Sequence, residues 1–326
     1  MTDRKALVLG ATGGIGGVIA DTLIRRGWQV RGMARDVPAA LAKKPGLDWV
    51  GGDAMTAGDV AAAASGASVI IHAVNPPNYA NWDKLVLPMV DNTIAAAKSA
   101  GARIVLPGTI YNFDPAKTPV IDADSPQNPR SRKGAIRVAL ERRLGESSHD
   151  APVLVLRAGD FFGPGVRSSW FSQAMVKPGR PVRRVVNLDR SGGHSWAYLP
   201  DLAEALARLL GVPEKLAVFE AVQFAGYCDE TGTGIADAIA RAAGHAVVRR
   251  RFPWWAMHLL SPFGGFPREA AEIAQYWRHP VRLDNGRLEQ LIGPEPRTPL
   301  DQAVRASLAD MGCLPEPFRQ AAVAPD

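Results

Sequence analysis

The chain has 326 residues and a formal net charge of +6, from 38 Lys plus Arg against 32 Asp plus Glu. Apolar residues make up 47% and charged residues 21%, an ordinary globular balance that excludes a disordered, collagen-like or small disulfide-scaffold chain. Two cysteines, Cys228 and Cys313, are too few and too separated for a disulfide framework or a CxxC metal site.

In chain order, Ala6 to Leu9 forms a short apolar run typical of a buried strand. A glycine-rich turn from Gly10 to Gly17 follows, then a helical pattern from Val18 to Arg26 that stops at Gly27. Strands are expected at 28–33, 47–50, 68–72 and 103–106, with helices at 60–64 and 82–100 between them. The segment 111–132 is rich in Pro, Asp, Ser and Asn and is expected to be a long loop, of the kind that more often serves function than scaffold. A helix at 133–145 and a strand at 153–157 resume the alternation. Beyond Phe161 the pattern weakens to short strands near 182–186 and 218–223 and helices at 202–210, 234–243, 253–260, 269–277 and 299–311. The tail from Pro315 to Asp326 is expected to fray. Strands alternating with helices imply right-handed βαβ units, and therefore an α/β fold. The expected architecture is a Rossmann-like doubly wound parallel sheet with a small C-terminal substrate lobe. Residues 1–160 would form the dinucleotide-binding core, and 161–326 the last core elements and the lobe.

The strongest chemical signal is Gly10-Ala11-Thr12-Gly13-Gly14-Ile15-Gly16, directly after a strand and opening a helix. Gly10 suits a tight turn, Gly13 lets a pyrophosphate approach the backbone, and Gly16 lets helix pack closely on strand. The exposed N–H groups and dipole of the helix start favour phosphate. A glycine turn can also serve packing alone, but its strand–turn–helix setting favours dinucleotide binding. The second strand ends Gly32-Met33-Ala34-Arg35, with no acid for ribose hydroxyls. A guanidinium at Arg35 suits a 2′-phosphate, so NADP is expected; Asp36, the next residue, keeps NAD as the alternative.

These residues resemble the short-chain dehydrogenase/reductase superfamily, in its extended and atypical epimerase/dehydratase-like members. The resemblance takes in the glycine loop, Gly52-Asp53-Ala54, His72-Ala73-Val74-Asn75, Leu106 to Tyr111, Arg157 to Pro164 and Tyr198 to Ala203. It implies that Asp53 and Ala54 border the adenine and that Ala73, Val74 and Asn75 lie along the ribose and phosphates. It also implies a Ser or Thr after the fifth strand and a Tyr-x-x-x-Lys pair on the next helix, and here the chain departs. Pro107 takes the hydroxyl position, Lys133 the tyrosine position and Arg137 the lysine position.

The segment Lys133-Gly134-Ala135-Ile136-Arg137 through Glu141 is similar to the Lys-x-x-Ile-Arg-x-x-x-Glu helix of isoflavone reductase-like enzymes. That likeness implies Lys133 as acid/base. Lys133 and Arg137, four apart, share a helix face, and a neighbouring cation in a partly desolvated site eases proton release from an ammonium. In this reading Arg137 holds nicotinamide ribose or phosphate and Glu141 orients Arg137. A plain basic helix with a Glu–Arg pair is the alternative. Thr109 and Tyr111 are the other hydroxyls near the expected nicotinamide end, and either could instead be structural. Pro76-Pro77 would stiffen a pocket wall or simply make a turn.

Asp160 is expected to cap a turn, or else to touch substrate. The resemblance implies that His194, Ser195, Trp196 and Tyr198 lie on the substrate side, while Trp196 and Tyr198 alternate as in a core strand. Asp201 resembles the family's acid at a helix N-terminus. The six histidines show no metal-ligand spacing, so no metal is expected. Arginines cluster at 180, 183, 184 and 190 and again at 249–251, without a nucleic-acid reading motif, so no nucleic acid is expected. Solvated surface is the simpler reading, with an anionic substrate at Arg183 and Arg184 as the sharper one. The apolar stretch 252–266 is shorter than the roughly 20 residues of a membrane span. It reads first as a lobe helix, with a subunit contact or shallow membrane-surface element as alternatives. With no apolar leader after Met1, a cytoplasmic, soluble protein is the expectation.

Together these point to an NAD(P)-dependent oxidoreductase of the atypical short-chain type, passing hydride to a carbonyl or activated double bond of a small molecule. Nucleotide-sugar epimerase or dehydratase chemistry is one alternative. A catalytically silent NADP-binding sensor or assembly protein is the other. A homodimer is left open.

Overall fold

The computed structural model describes residues 4–76, 82–190 and 192–315. Residues 316–326 of the expected frayed tail lie outside the described residues. The first half runs β1 (Lys5–Leu9), α1 (Gly14–Arg25), β2 (Gln29–Ala34), α2 (Val37–Lys43), β3 (Asp48–Gly51), α3 (Ala57–Ala63), β4 (Val69–His72), α4 (Trp82–Ala100), β5 (Arg103–Thr109), β6 (Val120–Ile121), α5 (Arg132–Ser147) and β7 (Val153–Ala158). The second runs β8 (Asp160–Phe162), β9 (Arg184–Asn187), β10 (His194–Tyr198), α6 (Leu199–Leu209), β11 (Phe219–Gln223), β12 (Tyr227–Asp229), α7 (Gly234–Ala243), β13 (Val248–Arg251), α8 (Trp254–Leu260), α9 (Gly265–Ile273), β14 (Arg282–Leu283), α10 (Gly286–Ile292) and α11 (Leu300–Asp310).

Seven strands form one parallel sheet in the order β11-β7-β5-β4-β1-β2-β3. Its central strands are continuous apolar runs because helices cover both faces. Ala6 to Leu9 of β1 and all six residues of β7 are buried. On one face Ile19 and Leu23 of α1 pack with Leu202, Leu206 and Leu209 of α6. On the other, Val60 of α3, Val86 and Val90 of α4 and Leu140 and Leu144 of α5 close the second layer. The chain reverses direction across the sheet between β1 and β4, which opens a crevice at their C-terminal ends.

A second core gathers Phe162, Trp196, Tyr227, Trp254 and Trp277 under α7, α8, α9 and α11. Trp196 and Tyr198 of β10 are buried in it.

The segment 111–132 is the expected long loop apart from β6, but it carries a core of its own. Tyr111, Phe113 and Ile121 pack with Ile273, Tyr276, Val281 and Leu283 in a small core of their own, and β6 pairs with β14. Few apolar residues are needed to hold a polar-looking segment when a distant part of the chain supplies the rest of the core. Strand β5 also runs past its expected end, through Pro107 to Thr109. Its pairing with β4 ends at Val105, so Pro107, lacking an N–H, lies beyond the last β4 partner.

Candidate active site

The glycine loop lies where the crevice opens. Gly10 has φ +88°, and a Cβ there would stand 2.6 Å from the Ala73 carbonyl oxygen at the end of β4. A Cβ on Gly16 would stand 2.4 Å from the Gly10 carbonyl oxygen, so only glycine lets α1 seat against β1. Gly13 caps α1 without any side-chain hydrogen bond, and the first turn carries no acid. The helix start, with Gly13 exposed and Gly14 and Ile15 partly so, therefore presents backbone N–H groups with no internal competitor, a fit for pyrophosphate. Lys43 of α2, which the sequence reading passed over, donates to the Thr12 carbonyl at 2.5 Å and adds a cation beside the loop.

At the end of β2, Arg35 is exposed. Asp36 is the N-cap of α2, its Oδ1 accepting from Ala39 N at 3.0 Å, so its carboxylate is committed to the helix. Asp53, after β3, accepts from Met55 N at 3.0 Å through Oδ1, and Asp59 Oδ2 accepts from Asp53 N at 2.9 Å. Ala54 is buried beside it, its carbonyl accepting from Asn92.

Beyond β4, Ala73 and Val74 are half-buried and Asn75 is exposed. Arg137 of α5 donates to Asn75 Oδ1 at 3.4 Å and lies 4.8 Å over the Trp82 ring. Pro77 lies outside the described residues. Behind this rim His72 is buried. Thr93 donates to Met89 O at 3.0 Å, so its hydroxyl receives the His72 Nδ1–H at 2.8 Å. Burial, aided by Arg137, pulls the His72 imidazole down to about 3. The native state keeps His72 neutral while the unfolded chain protonates below about pH 6.5, so stability falls as pH drops from 6.5 toward 3. His72→Asn should flatten that slope by up to about 1.4 kcal/mol per pH unit in urea titrations at pH 7 and pH 5. Equal slopes in the two proteins would contradict this account.

The candidate catalytic groups sit at the ends of β5 and β7. Thr109 Oγ1 accepts from Tyr111 N at 3.4 Å and shapes the turn that carries Tyr111. The Tyr111 hydroxyl donates to Asp160 Oδ1 at 3.3 Å, and Asp160 Oδ2 lies 2.8 Å from His194 Nε2. Asp160 is thus part of a side-chain relay rather than the turn cap expected. His194 Nδ1 donates to the Tyr276 carbonyl at 3.1 Å, and its ring stacks on Trp277 at 3.7 Å. With Nδ1 committed as donor, the contact between Nε2 and the carboxyl needs one further proton, shared by the pair. The Tyr276 hydroxyl donates to the carbonyls of Tyr111 and Phe113 at 2.8 and 2.9 Å, and burial pushes its ionisation well above the usual range. The sequence singled out Tyr111, Asp160 and His194 separately but gave no sign that they join, because they are remote in the chain, and Tyr276 carried no signal at all.

Two side chains of α5 have partners that the sequence did not suggest. Lys133 is buried, and its ammonium pairs with Glu269 and, at 3.1 Å, with Glu272, whose other oxygen accepts from Lys133 N. Helix α9 folds over the start of α5, so the nearest charges are carboxylates and Lys133 is a clamp between core and lobe. Glu141 does not orient Arg137. It pairs with Arg157 at 2.8 Å, both 4% exposed, and accepts from Gln127 at 2.8 Å. Gln127 in turn accepts from Asn112 at 3.0 Å, fastening segment 111–132 to α5 and β7. Asp201, in the first turn of α6, accepts twice from Thr298 at 2.7 Å. Among the described residues no group of three or more His, Cys, Asp or Glu has a metal-holding arrangement, and no helix is long and apolar enough to cross a membrane.

Residues 10–136 match the NAD(P)H-binding family model. This segment is therefore similar to NAD(P)H-binding domains. A 3-diazoavenalumate denitrifying reductase from a Streptomyces species is 33% identical over 179 residues, a match spanning 49% of this chain and 57% of that protein. Bordetella bronchiseptica WbmH, solved in complex with NAD+, has a TM-score of 0.68 at 20% identity, over 98% of this chain and 99% of its own. MoeE5, solved with UDP-glucuronic acid and NAD, has a TM-score of 0.73 at 17% identity, over 98% and 100%. The chain therefore shares the Rossmann-like fold of these two proteins, and the residues that match the NAD(P)H-binding model lie in its N-terminal part.

Proposed function

We propose that this protein is an NADP-dependent reductase of the atypical short-chain type, acting on a carbonyl or activated double bond of a small molecule. The observation that carries the reading is the Tyr111–Asp160–His194 relay at the strand ends beside the dinucleotide crevice, in a chain without Tyr-x-x-x-Lys. The reductase relative supports reduction over epimerisation.

The cradle of Gly10, Gly13 and Gly16 and the open start of α1 hold the pyrophosphate; Asp53 and Ala54 border the adenine; Ala73, Val74, Asn75 and Arg137 line the nicotinamide side. The bound nicotinamide supplies the hydride. Tyr111 gives its phenolic proton to the substrate oxygen or carbanion. The proton shared by His194 Nε2 and Asp160 Oδ2 stays beside the resulting Tyr111 phenolate and offsets its charge, and the Tyr111 oxygen then regains a proton from water. Thr109 sets the tyrosine's backbone, and Tyr276 holds both Tyr111 and His194 in place. A panel of ketones, quinones and enones with NADPH deuterated at C4 tests the reading. Deuterium in a product supports it, and tight NADPH binding without transfer to any panel member favours the sensor alternative.

Cofactor choice rests on Arg35, exposed at the end of β2 while Asp36 caps α2. Arg35→Ser should weaken NADPH binding about 10- to 100-fold and leave NADH nearly unchanged by calorimetry, the range of a charge-assisted phosphate contact. A wild type that binds NADH more tightly than NADPH would overturn the choice.

A further inference from the structure

Among the described residues, half of the large apolar side chains left exposed fall between positions 255 and 266: Trp255, Leu259, Leu260, Phe263 and Phe266. Trp255 is 72% exposed and Phe263 87%. Their opposite face is well anchored. Trp254, Ala270 and Ile273 are buried, and Glu269 and Glu272 of α9 turn inward to Lys133. The outward side is therefore left both apolar and free of acid. From Val248 to Arg268 the sequence carries Arg249, Arg250, Arg251, Arg268 and His258, with no Asp or Glu.

The fold adds to this charge. Strand β13, all of it exposed, pairs with β9 and sets Val248 beside Arg184 and Arg250 beside Val186. Val185 of β9 is buried, so alternation turns Arg184 and Arg250 to the outer side, while Arg249 turns in to an ion pair with Asp237. Two arginine clusters that lie 65 residues apart in sequence, at 184 and 249, thus meet in one cationic strip beside the apolar face.

We propose that this face docks reversibly on an anionic lipid bilayer surface. Trp255, Leu259, Phe263 and Phe266 enter the boundary between headgroups and acyl chains, and Arg184 and Arg250 meet the anionic headgroups. An apolar patch edged by cations without acids is the composition such surfaces attract. A second copy of the chain fits less well. A two-fold contact sets a patch against itself, and here it would bring arginine strips together with no acid between them. The inference does not rest on the reductase reading, because docking is measured without turnover.

Co-sedimentation of the full chain with vesicles tests it, using phosphatidylcholine alone and phosphatidylcholine with about a third phosphatidylglycerol. Binding to the anionic vesicles should be roughly tenfold or more tighter and should weaken with salt. Leu259→Ser with Phe263→Ser should reduce it about tenfold or more, while the thermal shift on adding NADPH stays that of the wild type. Arg184→Ser with Arg250→Ser should remove the preference for anionic vesicles. No sedimentation with either vesicle, or equal binding by wild type and both variants, would overturn the proposal. So would a dimer in sedimentation velocity that the Phe263→Ser change converts to monomer without any vesicle binding, which would assign the face to a second copy.

Discussion

Tyr111→Phe is expected to lower kcat about 10²- to 10⁴-fold on any substrate that accepts hydride, with NADPH affinity unchanged within about twofold. The phenylalanine keeps the ring that packs 4.9 Å from Tyr276 and removes only the hydroxyl that reaches Asp160. Asp160→Asn is the companion test. The amide still fills the space between Tyr111 and His194 but cannot share the proton that Nε2 requires, so kcat should fall and its pH dependence should change shape. Lys133→Met serves as the contrast. Its loss breaks the clamp to Glu269 and Glu272 and should lower stability more than it lowers turnover per folded molecule. Full turnover in Tyr111→Phe, with loss in a folded Lys133→Met, would return the acid/base role to the lysine.

The second large effect is structural. Glu141→Gln should destabilise the protein by about 3–5 kcal/mol in urea titration, because it leaves the Arg157 guanidinium buried without its counter-charge. Arg157 has little else to turn to: Nη1 is buried with no hydrogen-bond partner among the described residues, and the Phe113 ring lies 5.3 Å away. Replacing both members, Glu141→Leu with Arg157→Met, should cost far less than the single change, since two apolar groups leave no orphaned charge. Gln127 and Asn112 hang from the same carboxylate, so the single change should also open segment 111–132 to proteolysis. If single and double changes cost the same, the pair is not an electrostatic unit.

Much of the cofactor half was readable from local pattern. The run Ala6 to Leu9 followed by Gly10 to Gly16 specifies a strand, a turn and a helix start through contacts within a dozen residues, and the alternation of apolar strands and helices specifies a parallel sheet. The helix at Lys133 was readable for the same reason, but its chemistry was not. Spacing places Lys133 and Arg137 on one helix face; it says nothing of what packs there, and α9, more than 130 residues on, supplies two carboxylates. Glu141 likewise has a good local partner in Arg137 and a better distant one in Arg157, which a central strand brings to it.

The segment after Tyr111 shows the same limit from the other side. Its polar composition hides Tyr111, Phe113 and Ile121, which become a core only when Tyr276 and Leu283 arrive. By itself, then, the sequence determined the dinucleotide-binding sheet, its glycine cradle and the cation at Arg35, because short-range backbone geometry and periodicity suffice for those. Only the tertiary structure brought Tyr111, Asp160 and His194 into one hydrogen-bonded chain and paired Lys133 with Glu269 and Glu272. Those choices depend on which remote side chain satisfies a buried charge or donor, and burial is created by the fold as a whole.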